Sequence, residues 1–212
     1  MSKTQDQAIL KLLREITKNK ENWETLIGEV VEKIEAEYSD IVKAKALWLL
    51  GEMGLKYPHM LGLHIEKIAT YLDDNNPKIR ERAVNALGRI GRRDKNLILP
   101  YFDKLMSMKD DAEYVVRLAF VWASENIATN APYIFYYKMD YFICLMNDKS
   151  ERVRIEAPEM FRVMGKRLPH IVEPYLKKLY WFLEYDANPV VRIHSAGAIR
   201  ITKKTLEEEL KS

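Results

Sequence analysis

The chain has 212 residues, of which 48% are hydrophobic and 31% charged, with a formal net charge of +3 and an isoelectric point near 8.7. That composition is too apolar for a disordered chain, and no apolar run nears the roughly 20 residues of a membrane span, the longest being "LAFVWA" and "YIFYY". The single cysteine, Cys144, excludes an internal disulfide and a cysteine-rich metal cage and fits a reducing, cytoplasmic setting, while the weak positive charge allows an anionic partner without requiring one.

The first segment, "MSKTQDQAILKLLREITKNK", carries charges through its apolar run and has no small-residue cleavage site, so it does not read as a secretory signal. It predicts a helix over residues 4–18, with Leu13 and Ile16 on its apolar side. Next come two apolar-periodic runs, "WETLIGEVVEKIEAEY" and "IVKAKALWLLGEMG". The same pair then recurs to the end of the chain, and the predicted units are 22–59, 60–96, 97–131, 132–169 and 170–209.

The frame of the repeat is set by Arg80, Arg117, Arg154 and Arg192, spaced by 37, 37 and 38 residues, with Lys43 one step earlier. Asp74, Asp111, Asp148 and Asp186 each stand six residues before the arginine, as Glu37 does before Lys43. An acid ahead of a helix and a base in its first turn, at fixed spacing, suit a structural ladder of charge-assisted hydrogen bonds between neighbouring units.

Counted from the arginine, apolar residues fall at +3, +4, +7 and +10, as Ala83, Val84, Leu87 and Ile90 do, which is the period of an amphipathic helix. This is the second, or B, helix of each unit. Small residues recur at +11, as Gly54, Gly91, Ala128 and Gly165, where helices can approach closely. The preceding A helices share core positions at Val31, Ile68, Leu105, Phe142 and Leu179. No run alternates as a strand would, so eleven helices are expected, the first capping the open end of the array.

The two-helix unit, the prolines of the A helices (Pro100, Pro174), the Asp-x5-Arg turns and the small-residue-rich B helices resemble the HEAT-repeat family over roughly residues 22 to 204. The resemblance implies an all-α fold in one domain: a right-handed α-α superhelix of five HEAT-like helix pairs preceded by one N-terminal capping helix, with the B helices lining a concave surface. The first unit departs from the pattern with Glu37 and Lys43, and the fourth carries Pro158 inside its B helix, where a kink is expected.

Positions +1, +5, +8, +9 and +12 lie away from the buried stripe, and partner contacts are expected there. Place +5 holds Trp48, Asn85, Trp122, Glu159 and Gly197; three or four residues further on stand Glu52, Arg89, Asn126, Arg162 and Ile201. The two tryptophans either pack sideways against neighbouring B helices or anchor a partner. B helices also tend to end in bases, including Arg92, Arg93, Lys166, Arg167, Lys203 and Lys204. These either offset helix dipoles or form a basic rim toward phosphates or an acidic peptide.

The aromatic helix 133–146 is apolar on more than one face, and the choice there is between deep packing and a self-association patch through which the chain would form a homodimer. The four histidines are scattered without ligand spacing, and no phosphate loop, dinucleotide fingerprint or nucleophile elbow occurs, so no catalytic residue, metal or cofactor is assigned. The expected function is a non-catalytic binding scaffold whose concave B-helix surface holds a protein segment, without a membrane. The alternative is a nucleic-acid-binding protein resembling DNA alkylation-repair glycosylases, in which Trp48 with Glu52, or Trp122 with Glu125 and Asn126, would face a cationic nucleotide.

Overall fold

Turn chemistry decides where the B helices begin. Asn76 and Asn188 sit at N-caps, their side-chain oxygens accepting the backbone N–H of Lys78 at 2.8 Å and Val190 at 2.7 Å. Pro77 and Pro189 follow at the first helical position, where the missing N–H costs nothing. The computed structural model describes residues 3–35 and 37–211, and all regular structure within them is helical. Its contacts group into two units, residues 1–123 and 124–212, with the division falling inside one B helix.

In the first unit, α1 (Lys3–Lys18) rests on α3 (Asp40–Lys56) through the buried Leu13 and Ile16, and the indole of Trp23 donates to the carbonyl of Ile16 at 2.8 Å. The B helices α3, α5 (Pro77–Arg93) and α7 (Tyr114–Ala128) are long. The A segments hold shorter α cores: α2 (Trp23–Glu32), α4 (Ile65–Thr70) and α6 (Phe102–Ser107). Where the sequence predicts longer A helices, 3₁₀ turns such as Pro58–His64, Leu99–Tyr101 and Met108–Asp110 complete them. Pro58 and Pro100 lack the N–H an α turn would use, so the chain enters through tighter turns.

Neighbouring B helices meet through their small residues. A methyl placed on Gly51 would lie 2.8 Å from the Cα of Ala86, and one on Gly88 would lie 2.5 Å from the Cα of Ala123, both too close for real atoms. Gly54 is closed off in the same way by Ile90. Position +8, expected on the open side, is therefore a helix-to-helix contact in this unit.

The guanidinium of Arg80 grips Asp111 of the following repeat with two hydrogen bonds, Nε to Oδ2 at 2.7 Å and Nη2 to Oδ1 at 2.8 Å, while Nη1 donates to the carbonyl of Asp74 in its own turn. Burial alone would raise the Asp111 carboxyl, but the hydrogen bonds from Arg80 and from the Glu113 N–H, with the charges of Arg80 and Arg117, hold it below the usual carboxylate range. Arg117 donates to the carbonyl of Asp111 at 2.7 Å. At the preceding joint, between α3 and α5, Asn76 donates to Asp40 at 2.7 Å.

The second unit contains the last turn of α7, then α8 (Met139–Leu145), α9 (Glu151–Gly165), α10 (Pro169–Val172), α11 (Leu176–Tyr185) and α12 (Pro189–Glu209). The aromatic helix divides its rings: Phe135 and Phe142 are buried edge to face at 6.4 Å, whereas Tyr133, Tyr136 and Tyr137 are exposed. The α9 helix continues through the buried Pro158. Gly165 lies against Thr202 so tightly that no side chain fits.

Arg154 and Arg192 bond the carbonyls of Asp148 and Asp186 in their own turns at 2.9 and 2.7 Å. Among the described residues no hydrogen bond or ion pair joins Arg154 to Asp186, the step at which the repeat lengthens to 38 residues. Asn188 supplies a link there instead, donating to Glu151 at 2.7 Å. Among the described residues no helix is long and apolar enough to cross a membrane.

Candidate binding clefts on the B helices

Each unit carries a cleft on its B helices, built from different residues. In the first unit, α3 contributes Ile41, Ala44, Lys45 and Trp48, and α5 contributes Lys78 and Arg82, around about 320 Å³. Trp48 is half-buried, and the Lys45 ammonium stands 3.8 Å from the centre of its ring, a cation–π arrangement. Burial, with the like charges of Arg14 and Arg82, lowers the Lys45 pKa against the opposing pull of Glu52. An anion placed here would relieve that repulsion. Ile41, 67% exposed, adds apolar surface at the mouth.

Other expected contacts of this face are already occupied. Asn85 and Glu81 are buried at 8% and 7% exposure, and the Asn85 amide donates to Glu81 at 3.1 Å. Glu52 is held by Arg89 at 2.8 Å, so the carboxylate one turn beyond Trp48 is paired with the next B helix. Trp122 is half-buried, and Arg92 and Arg93 are exposed at the end of α5, apart from the cleft.

The cleft of the second unit is larger, about 640 Å³, and more basic. Arg162, Lys166 and Arg167 line it from α9 and the turn after it, and Arg200 and Lys204 line it from α12; Thr129, Val163, Gly197 and Ile201 complete the walls. Four of the bases expected from sequence thus converge. Arg200 was not singled out in the sequence, yet like Arg162 it stands eight residues after its repeat's arginine. Gly197 occupies the place where α3 and α7 have tryptophans, and the missing side chain leaves the cleft open.

These bases differ in how much of their charge is spent. Arg162 binds Glu159 on its own helix, Arg167 donates to the carbonyls of Thr129 and Val163, and Lys204 approaches Glu208 at 3.6 Å. The side chains of Lys166 and Arg200 are exposed and make no hydrogen bond or ion pair among the described residues. Lys203 points elsewhere, toward the ring of Tyr180 at 5.2 Å, and a hydrogen bond to Tyr180 raises its pKa.

Beside the basic cleft the charge changes sign. One Glu125 oxygen is buried with no hydrogen-bond partner. Burial first, and then the negative charges of Glu159 and Glu156, push its carboxyl up to about 8, against the pull of Arg162. Glu159 lies 3.6 Å from Nδ1 of His194, and that nitrogen also meets the carbonyl of Ile155 at 2.8 Å. Among the described residues no group of three or more His, Cys, Asp or Glu is arranged to hold a metal ion.

The sequence reading also missed Trp181 on α11, which is 53% exposed and tilted against Tyr185 at 5.8 Å. It stands two residues after the core Leu179, where earlier A segments place the exposed Thr70, Ser107 and Cys144. That comparison along the repeats is the signal that finds it.

No family model and no curated protein matches the chain. Solved structures do. A designed armadillo repeat protein in complex with the peptide (KR)4 aligns at TM-score 0.68 and 21% identity, covering 91% of this chain and 92% of that one. An engineered protein aligns at TM-score 0.73 and 14% identity over 96% and 92% of the two chains, and a computationally designed armadillo repeat protein for modular peptide recognition aligns at 0.66 and 18% over 92% and 93%. At such identities the likeness shows the fold alone: an all-α helical-repeat solenoid.

Proposed function

We propose that this chain is a non-catalytic HEAT-type scaffold that holds an extended segment of a partner protein on its B-helix surface. The two-helix unit with a 37-residue step favours HEAT over armadillo, whose unit has three helices. The observation that carries the function is the pair of open clefts on the B helices, each combining apolar wall with cationic side chains that internal partners do not fully neutralise. Such clefts suit the mixed apolar and polar side chains of a peptide. Trp48 supplies an apolar platform, and Arg162, Lys166 and Arg167 supply charge. Peptide binding by similar designed folds agrees with this use of the surface. The (KR)4 peptide itself would be repelled by the basic clefts here. The single Cys144 favours a cytoplasmic setting.

The glycosylase-like alternative needs an ionised carboxylate near a tryptophan. Glu52 is neutralised by Arg89, and Glu125, with its carboxyl near 8, is mostly protonated at neutral pH. Both observations favour the scaffold. The test is fluorescence anisotropy with randomised peptide pools and, in parallel, single- and double-stranded oligonucleotides at several salt concentrations. Peptide binding that Trp48→Ala or Lys166→Gln weakens is expected. Retention of oligonucleotides alone, with affinity falling steeply in salt, would overturn the proposal.

A further inference from the structure

The cleft between α9 and α12 says more about its occupant than that it is a peptide. Cations near a helix C-terminus commonly offset the helix dipole, and Lys166, directly after α9, is placed for that. Arg200 is not. It lies more than two turns before the end of α12 at Glu209, beyond the range of the terminal dipole, and no acid lines the cleft. Two unpartnered cations facing one open volume match the charge of a phosphorylated side chain, about −1.5 to −2 at neutral pH, better than a single carboxylate. The wall at Val163, Gly197 and Ile201 offers apolar surface for the flanking residues.

The neighbouring acids argue for a peptide and against a nucleic acid. Glu159, which binds the cleft-lining Arg162, and Glu156 on the same helix reverse the charge within about two helical turns. A continuous phosphate backbone would be attracted by one half of this surface and repelled by the other. A peptide carrying one phosphate and a neutral or basic neighbour is repelled by neither.

Building on the scaffold reading, we propose that the α9–α12 cleft is a recognition site for a phosphorylated side chain in an extended partner segment, with Lys166 and Arg200 clamping the phosphate. Gly197 keeps the site open. A methyl at that position meets only the Cδ of Arg162, at 3.8 Å, so a larger side chain enters the cleft without disturbing the helix.

The test uses the full chain and two fluorescent nonapeptide pools with randomised flanks, one with a central phosphoserine and one with serine. The phosphoserine pool should bind at least about tenfold more tightly, and Lys166→Gln with Arg200→Gln should remove about tenfold or more of that affinity. Gly197→Leu should abolish the preference while leaving the melting temperature unlowered, because glycine is a poor helix residue. Equal binding of the two pools, or an unchanged preference in the double variant, would overturn the proposal. If both pools bind equally and Trp48→Ala weakens them, only the phosphate site falls; if no peptide binds at all, the scaffold reading falls as well. Displacement of the phosphopeptide pool by equimolar inorganic phosphate would assign the site to the free ion instead, and displacement by a single-stranded oligonucleotide would assign it to nucleic acid.

Discussion

Replacing Glu125 with glutamine should make this protein more stable at high pH and leave it little changed at low pH. The carboxyl sits at the last turn of α7 with one oxygen buried and unpartnered, beside Glu156 and Glu159 and under the weaker pull of Arg162. Its ordinary value of 4.5 is raised to about 8. Between those two values the native state keeps a proton that the unfolded chain has released. Native stability therefore falls as pH rises through this window and levels off above about 8. At about 1.4 kcal/mol per pH unit, the span corresponds to about 5 kcal/mol, a ceiling that rotation of the side chain or water entry would lower. Glutamine resembles the protonated acid and has nothing to ionise. Urea unfolding of both proteins from pH 5 to 9, followed by far-ultraviolet circular dichroism, should give curves that coincide near pH 5 and diverge by several kcal/mol at pH 9, with the variant the more stable. Any shift common to both proteins cancels in the difference. A difference that stays constant across the range would show that the carboxyl ionises normally and that its surroundings have been misjudged.

Breaking the bidentate pair through Arg80→Ala should cost about 2 to 3 kcal/mol in urea unfolding, since it leaves the partly buried Asp111 with fewer donors. That loss should shrink as pH falls through the depressed Asp111 carboxyl, whose contribution is present above its unfolded value and disappears on protonation. Gly88→Val should destabilise by about 1 to 3 kcal/mol or more, because its Cβ would enter the backbone of Ala123, whereas Gly28→Ala, with nothing nearby, should be neutral or stabilising; thermal melts compare the two. Asn188→Ala should lower the melting temperature by removing about 1 kcal/mol of N-cap stabilisation along with the link to Glu151.

How much of this was legible beforehand differs between the repeat and the site. The 37-residue beat, the paired helices and their buried stripes follow from sequence, because an amphipathic period states which side of a helix must leave water, and recurrence makes each unit predict the next. The convergence of Arg162, Lys166, Arg167 and Lys204 was partly legible for the same reason. Arg200 was passed over and Asn85 misplaced, because each B helix has flanks as well as an inner stripe. Which flank is covered depends on how near the next helix stands.

The sequence alone thus determined the class of fold, the length of its repeat and the turns that start its long helices, since these rest on interactions within a few dozen residues. The tertiary structure alone decided that Gly51 and Gly88 meet neighbouring backbones, that the Glu125 carboxyl is buried among other acids, and that Gly197 leaves a space between arginines. Those facts depend on distances between helices, which packing of whole surfaces fixes to fractions of an ångström and no local pattern encodes.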